Sequence, residues 1–245
     1  MRRRLIIWVV LFLLSTLSVL GAVDAWRITA HLGTEADLEQ EVIVYYGDKD
    51  HPVEAVTEDM RLTGEYLEYR RKEALFVAKG NIELTQEQPK FRRLTAAEVT
   101  YNTENGDIAM PLGGQIRFGP EKADFKADKI TGNINREVFS ARGNCVLANQ
   151  DGVLTAEEMD GNLVNGNLTA QKQVVFKGHS ILAKGGLVVY YQKEGHIVFR
   201  ENPWVSRGKE VFTAQEIIYD IKTKKIKAKG PVEYKSGPAA TGGAK

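Results

Sequence analysis

Residues 212–234 read FTAQEIIYDIKTKKIKAKGPVEY, and this stretch carries the pattern that decides the fold. From Ile226 to Tyr234 apolar and charged residues alternate, which is the two-residue period of a half-buried β-strand. The preceding part, FTAQEIIY, opens with an apolar residue that is followed closely by alanine. Between the two parts lies the polar run DIKTKK at 220–225, which is typical of a turn. The stretch therefore predicts two strands joined as a hairpin.

The same two-part unit recurs along the chain at intervals of about 28 to 32 residues. Its opening reads LTAAEVTY at 94–101 and LTAEEMDG at 154–161. The six copies start at Leu62, Leu94, Phe125, Leu154, Leu182 and Phe212. The second part recurs at 78–84, 112–118, 141–147, 170–176 and 228–234, with a degenerate copy at 200–206. Self-similarity at a fixed period indicates a repeat architecture, here six two-strand repeats of roughly 30 residues.

The repeats predict an all-β fold over residues 61–235, with about a dozen antiparallel strands. No window after residue 60 sustains apolar residues at helical spacing, because Gly or Pro interrupts every candidate. The opening strands change phase in the middle, as a β-bulge would make them do. Side-by-side stacking of the units predicts a long, twisted, folded-over sheet with one continuous apolar interior.

Alternation assigns one face of this sheet to the apolar interior and the other to water. The inward apolar positions considered as candidate ligand contacts are Phe76, Ile82, Leu84, Ile116, Phe118, Phe139, Leu147, Val174, Phe176, Phe199, Ile226 and Val232. Such residues either line an open groove or pack on one another as a closed core. Alternation alone does not separate the two possibilities.

The first 25 residues are typical of an export signal. Three arginines precede an apolar run at 5–22, which is long enough for a hydrophobic helix at the border between signal peptide and membrane span. The segment is either a retained inner-membrane anchor or is cleaved near Ala25. The positive charges keep the N-terminus in the cytoplasm in both cases, so the rest of the chain is exported.

Two further segments lie outside the repeats. Residues 26–60 are interpreted as a linker, with a possible capping strand, EVIVYYG, at 41–47 and a polar linker, DKDHPVEAVTED, at 48–59. The last ten residues, 236–245, read SGPAATGGAK and are interpreted as a flexible, disordered tail.

The composition and spacing of reactive residues favour no enzyme, metal site or cofactor. The single cysteine, Cys145, excludes an intrachain disulfide and a multi-cysteine zinc site. The four histidines, His31, His51, His179 and His196, have no second ligand at metal-binding spacing. Lys and Arg (33) balance Asp and Glu (32), so nucleic acid is not an expected partner.

One catalytic hypothesis remains as an alternative. Glu157 and Asp160 lie in a carboxylate-rich segment, and a glycosidase acid/base pair is conceivable on a β-helix. The equivalent positions of other repeats also carry polar residues, so an outward-facing polar surface explains them more simply.

The repeat resembles the periplasmic lipopolysaccharide-transport proteins, the family once named for organic solvent tolerance, over about residues 60 to 235. Its motif residues are Leu94, Thr95, Ala96, Tyr101 and Gly114 in one region and Phe212, Thr213, Ala214, Tyr219, Ile226, Ala228, Gly230 and Val232 in another. That family includes a soluble bridge protein and an inner-membrane-anchored component.

The resemblance implies a twisted β-jellyroll that is open along one side and shields lipid acyl chains. The implied function is a periplasmic bridge that passes lipopolysaccharide, or a similar acylated glycolipid, from the inner to the outer membrane. The implied partners are other β-jellyroll transport proteins, paired through edge strands, and the inner membrane. An exported β-solenoid scaffold with a dry core and no lipid ligand is the alternative.

Overall fold

A computed structural model of the 245-residue chain describes residues 26–87, 92–119 and 123–237. The hydrophobic helix predicted within residues 1–25 lies outside the described residues, as does the predicted tail from residue 238 onward. Ser236, the first residue of that tail, ends the last strand. Within the described ranges no helix has the length and apolar character needed to cross a membrane.

The described residues are almost entirely β-structure, and every strand pairing is antiparallel. The one described helix is a 3-10 turn at Arg71–Glu73. The 22 strands in chain order are β1 Arg27–Thr29, β2 Gly33–Asp37, β3 Val42–Tyr46, β4 Val53–Val56, β5 Met60–Gly64, β6 Tyr66–Arg70, β7 Leu75–Gln86, β8 Arg92–Asn102, β9 Asp107–Met110, β10 Gly114–Phe118, β11 Ala123–Ala127, β12 Lys129–Asn133, β13 Val138–Asn149, β14 Gly152–Asn162, β15 Asn167–Gly178, β16 Leu182–Tyr191, β17 His196–Arg200, β18 Trp204–Arg207, β19 Glu210–Thr213, β20 Glu216–Asp220, β21 Ile226–Lys229 and β22 Glu233–Ser236.

The strands form two layers that share six long strands, β7, β8 and β13 to β16. Hydrogen-bonded neighbours give the first layer the order β1-β4-β5-β7-β8-β10-β11-β13-β14-β15-β16-β18-β19-β22. The second layer has the order β2-β3-β6-β7-β8-β9-β12-β13-β14-β15-β16-β17-β20-β21. Each shared strand therefore passes from one layer to the other, and the sheet is folded over along a line across these strands.

The fold line coincides with bulges in the strands that carry the second part of the repeat. Between Lys79 and Ile82 of β7 the register with β8 shifts, and Gly80 and Asn81 both have positive φ, 76° and 45°. Gly143 and Asn144 of β13 repeat this geometry with φ of 76° and 46°. A bulge bends a strand and increases its twist, so consecutive bulges fold the whole sheet. The extra residue predicted in the opening strands instead lies on their partners.

The number of strand segments exceeds the predicted dozen because several strands are broken at the fold line. Gly113, with a φ of 77°, separates β9 from β10, for example. The eighteen segments β5 to β22 comprise the six long strands and six strands that are each divided in two, which gives twelve bent strands. The six two-strand repeats of the sequence correspond to these.

Residues 26–60 add four strands to one end of the two layers. The segment interpreted as a possible capping strand contains β3, which pairs with β6 on one side and with β2 on the other. The polar linker predicted at 48–59 contains β4, in which Val53 and Ala55 are 1% and 0% exposed. These two residues alternate with polar neighbours and pair with β5, and that is why the segment joins the sandwich.

The core lies between the two layers and is continuous along the array. Phe125 of the first layer and Phe139 of the second have ring centroids 4.8 Å apart. Phe176 of the first layer lies 6.4 Å from Phe199 of the second. The apolar faces of the repeats therefore meet each other across the fold.

Candidate functional site

An apolar cleft lies between the layers near the middle of the array, and we call it the first cleft. It encloses about 70 Å³. Its lining is almost wholly apolar and includes Leu84, Leu94, Ile108, Ile116, Phe118 and Phe139. It lies toward the open side of the folded sheet, opposite the bulges, where strands of both layers end, for example at Arg92 of β8 and Asn133 of β12. We call this side the mouth.

A second cleft of about 310 Å³ adjoins the first and shares Arg92, Phe118, Phe139 and Leu163 with it. Its remaining apolar lining includes Leu147 and Leu168, and its polar lining includes Asn149, Asn162, Asn167, Tyr190 and Lys193. An apolar floor with polar groups at one side is the general form of a site for an amphiphilic ligand.

An ion pair spans the mouth beside the first cleft. Arg92 begins β8 in the first layer, and Glu137 lies in the turn between β12 and β13 of the second. The guanidinium Nη2 of Arg92 donates to Oε1 of Glu137. The side chains are only 15% and 18% exposed. The two layers are thus connected by charge where the apolar lining would otherwise open to water.

A hydrogen-bonded group connects the layers beside the second cleft. The Tyr190 hydroxyl of β16 donates to Oδ2 of Asp151 at 2.6 Å and accepts from Nδ2 of Asn149 at 3.1 Å. Asn149 and Asp151 belong to the hairpin between β13 and β14, where the amide of Asp151 donates to Oδ1 of Asn149 at 2.9 Å. This hairpin is therefore attached to the second layer by side-chain contacts.

The structure divides the twelve predicted contact residues into three groups. Leu84, Ile116, Phe118, Phe139 and Leu147 line the two clefts. Phe76, Ile82, Val174, Phe176 and Phe199 are at most 3% exposed and pack within the closed core. Ile226 is half-buried against the core, whereas Val232 is 51% exposed.

Val232, predicted at an inward apolar position, is thus not covered by the core. Val232 lies just before β22, the edge strand of the first layer, which pairs with β19 on one side only within the described residues. Tyr234 has its ring 5.1 Å from that of Phe212 on the inner face, yet it is 52% exposed. The apolar interior thus reaches the end of the array, and among residues up to 237 no strand covers it beyond β22.

Sequence reasoning missed the polar residues at the mouth, above all Arg92, Glu137 and Tyr190. A signal for Arg92 was present, because it precedes the buried Leu94 by two residues and so occupies an inward position of β8. A charged residue at an inward position is unusual and indicates either a partner or a ligand. Glu137 and Asp151 lie in turns, where strand alternation makes no prediction.

Of the residues considered for catalysis or metal binding, His31 and His51 have ring centroids 6.1 Å apart. Cys145 of β13 lies beside Glu157 of β14, with its Sγ 3.5 Å from the Glu157 backbone oxygen. No group of three or more potential metal ligands occurs within the described ranges. Asp160 forms an ion pair with Arg142 at 3.3 Å, and Glu157 is exposed on the outer surface. Cys145 is 0% exposed, and its burial raises the pKa of the thiol to about 11. A protonated, buried thiol is a poor nucleophile.

Comparison with known proteins gives one family match. Residues 109–225 match the family described as LptA/(LptD N-terminal domain) LPS transport protein. A solved structure, that of LptH, described as the LptA homologous periplasmic component of the conserved lipopolysaccharide transport device from Pseudomonas aeruginosa, is 13% identical with a TM-score of 0.23. That alignment covers 88% of this chain and 96% of LptH. No curated protein sequence matches the chain.

The family match covers strands β10 to β20 in full, and thus both clefts in part. It confirms the resemblance seen in the repeat for this part of the chain. Residues 109–225 are thus similar to the lipopolysaccharide-transport family of LptA and the LptD N-terminal domain.

Proposed function

We propose that the protein is a periplasmic component of lipopolysaccharide transport that holds acyl chains between its two β-layers. The family match supports the general role, and the apolar cleft at the mouth carries the proposal. Burying one methylene is worth roughly 0.8 kcal/mol, so a twelve-carbon chain in water costs on the order of 10 kcal/mol. A protein that carries such chains needs a continuous apolar surface and no catalytic group.

The division of the predicted contact residues narrows the proposed binding surface. Phe76, Val174, Phe176 and Phe199 are already covered by protein, so acyl chains have no access to them in this conformation. Phe118 and Phe139 are partly exposed and line both clefts. The middle of the array, rather than its whole length, is therefore the proposed entry for lipid.

Site-specific photo-crosslinking in cells that make lipopolysaccharide tests this function. A crosslinking amino acid at Phe118 or Phe139 is expected to give an adduct that reacts with antibody to lipopolysaccharide. Arg117, the exposed neighbour of Phe118, provides a matched outward control. Adducts at Arg117 equal to those at Phe118, or none at either cleft position, would contradict a lipid-binding cleft.

The closed part of the core is the observation that favours the alternative, an exported β-solenoid scaffold without a lipid ligand. If the protein only polymerises through its edges, no lipid will copurify with it, and filaments will form as its concentration rises. Mass spectrometry of an organic extract of the purified protein separates the two functions, because acylated glycolipid is present in one case and absent in the other.

The proposed location is the periplasm, with residues 5–22 as an inner-membrane anchor or removed by cleavage near Ala25. Edge strands β1 and β2 at one end, and β21 and β22 at the other, are the proposed pairing sites for other β-jellyroll proteins. The intact mass of the protein from cell membranes and from the soluble fraction distinguishes anchoring from cleavage.

A further inference from the structure

The Arg92–Glu137 pair differs from the other ion pairs of the described residues in where it lies. Both of its side chains are less than one fifth exposed. Every other ion pair that joins two described residues has at least one partner that is 40% exposed or more. Desolvating two charges costs about as much as their attraction returns, so a buried pair is weak evidence for a stabilising role. A functional role is the better explanation for its position.

The pair also lies at the border of the most apolar part of the proposed site. Arg92 and Glu137 both line the first cleft, next to Phe118, Phe139 and Leu163. Arg92 additionally lines the second cleft, where Lys193 is a further cation. Lys193 donates to the backbone carbonyl of Val164 and has no carboxylate within ion-pair distance among the described residues. The mouth thus has apolar walls and two cationic groups at its border.

We infer that Arg92 and Glu137 form a latch across the mouth, and that Arg92 exchanges Glu137 for the anionic group of an acylated lipid. This inference rests on the proposed function and assigns a role to two residues of its site. A phosphate or carboxylate on the lipid offers the paired oxygen acceptors that a guanidinium binds best. Release of Glu137 separates the turn at 134–137 from the start of β8, which widens the entry to the first cleft.

The latch predicts that replacing either residue of the ion pair speeds lipid entry, but that the two replacements have opposite effects on the preference for anionic lipid. Glu137→Gln removes the competitor for Arg92, so anionic lipid binds more tightly and enters faster. Arg92→Met removes the group that recognises the anion, so entry is also faster but the preference for anionic lipid disappears. A merely structural ion pair would lower stability in both variants and shift their lipid preference in the same direction or not at all.

The test is displacement of N-phenyl-1-naphthylamine from the purified 245-residue protein. Dodecyl phosphate and dodecanol serve as competitors of equal chain length, and inorganic phosphate alone serves as the headgroup without a chain. The wild type is expected to prefer dodecyl phosphate over dodecanol by about tenfold, a ratio that one charge-assisted hydrogen bond supports. The preference rises in Glu137→Gln and vanishes in Arg92→Met, and inorganic phosphate displaces nothing.

The adjacent ion pair on the outer surface is the matched control. Arg93 of β8 is next to Arg92, and Glu83 of β7 is next to the inward Leu84. Their side chains are 46% and 38% exposed, and Nη2 of Arg93 lies 2.5 Å from Oε2 of Glu83. Arg93→Met and Glu83→Gln are expected to bind like the wild type. The double variant Arg92→Met/Glu137→Gln removes both charges of the pair, and is expected to show the same loss of preference if Arg92→Met alone unfolds.

The possible outcomes separate this inference from the proposed function. Lipid binding whose preference is the same in the wild type, the cleft variants and the outer-surface variants would overturn the latch and leave acyl binding intact. Displacement by inorganic phosphate would overturn the lipid as the source of the anion. Failure of both lipids to displace the probe from the wild type would overturn the proposed function and the latch together.

Discussion

The Tyr190 hydroxyl donates a 2.6 Å hydrogen bond to the Asp151 carboxylate, and through it the second layer holds the β13–β14 hairpin of the first. Tyr190 is 5% exposed, so its ring is part of the core while its hydroxyl faces the second cleft. The width of the mouth is therefore fixed at this point by polar side chains, because the apolar faces alone would permit sliding. The hydrogen bond between Tyr190 and Asp151 is the basis of the first prediction.

Tyr190→Phe is expected to lower the free energy of unfolding by about 1–2 kcal/mol, since it removes a hydrogen bond to a carboxylate and leaves the Asn149 amide without this acceptor. Urea denaturation of the two proteins measures the difference. Tyr191→Phe is the control, because the described residues provide no hydrogen bond to the Tyr191 hydroxyl, whose ring stacks on His196 at 4.7 Å. Equal losses in both variants would contradict the role of the Tyr190 hydroxyl.

Core and cleft phenylalanines are expected to respond differently to truncation. Phe199 is 0% exposed, so Phe199→Ala creates a cavity and should cost about 3–5 kcal/mol of folding stability. Phe118 lines both clefts and is partly exposed, so Phe118→Ala should cost less than half as much and should weaken lipid capture instead. Chemical denaturation and probe binding, measured on the same preparations, check this separation. A larger stability loss for Phe118→Ala would place it in the closed core.

Gly161 provides the space that the Phe139 ring occupies. The two residues are opposite each other in the β13–β14 register, and a Cβ on Gly161 would overlap the ring atoms Cε1 and Cζ of Phe139. Gly161→Ala should therefore displace the ring toward the clefts, costing about 1–3 kcal/mol by overpacking and reducing probe binding. Gly237→Ala, which meets nothing within 4 Å, is the control and should change neither quantity. Unaltered probe binding in Gly161→Ala would show that the ring does not limit the clefts.

The burial of the Cys145 thiol predicts that the free energy of unfolding declines in alkaline solution. Burial raises the pKa of its thiol to about 11, above the ordinary value of 9.0. Between these values the folded state binds more protons than the unfolded state, so the free energy of unfolding falls as the pH rises. We expect this decline to be smaller in Cys145→Ala. We also expect a disulfide reagent to label the wild-type thiol at pH 8 only as fast as the protein unfolds, and rapid labelling of the native protein would contradict the burial.

The repeated two-part sequence unit predicts most of the fold because strand alternation and turn composition are local properties. The period of roughly 30 residues identified the six hairpins, and inward positions such as Phe125 and Ile217, both 0% exposed, follow from alternation. The position of the fold line was harder to predict. Lys172 and Gln173 of β15 adopt φ values of 62° and 55° without a glycine, so residue type does not mark that bulge.

The candidate site was less predictable, because it depends on which inward residues lack an opposing side chain. Phe176 and Phe118 occupy the same position in different copies of the repeat. Phe176 meets Phe199 and Tyr219 from the second layer and is closed in, whereas Phe118 faces the clefts. This difference is set by packing between layers over long sequence distances. The contact between Arg92 and Glu137, which are 45 residues apart in the sequence, likewise depends on packing between layers and does not follow from strand alternation.

The uncovered end of the array gives the last prediction. Val232 and Tyr234 are 51% and 52% exposed beside β22, and within the described residues β21 and β22 each pair on one side only. An unpaired edge with exposed apolar residues is a site for strand addition by another β-sheet. Val232→Lys is therefore expected to weaken concentration-dependent association without changing the free energy of unfolding, as measured by sedimentation velocity and urea denaturation. Val164→Lys, at a 56% exposed valine in the β14–β15 turn, is the control for the added charge, and equal effects of the two lysines would argue against pairing through this edge.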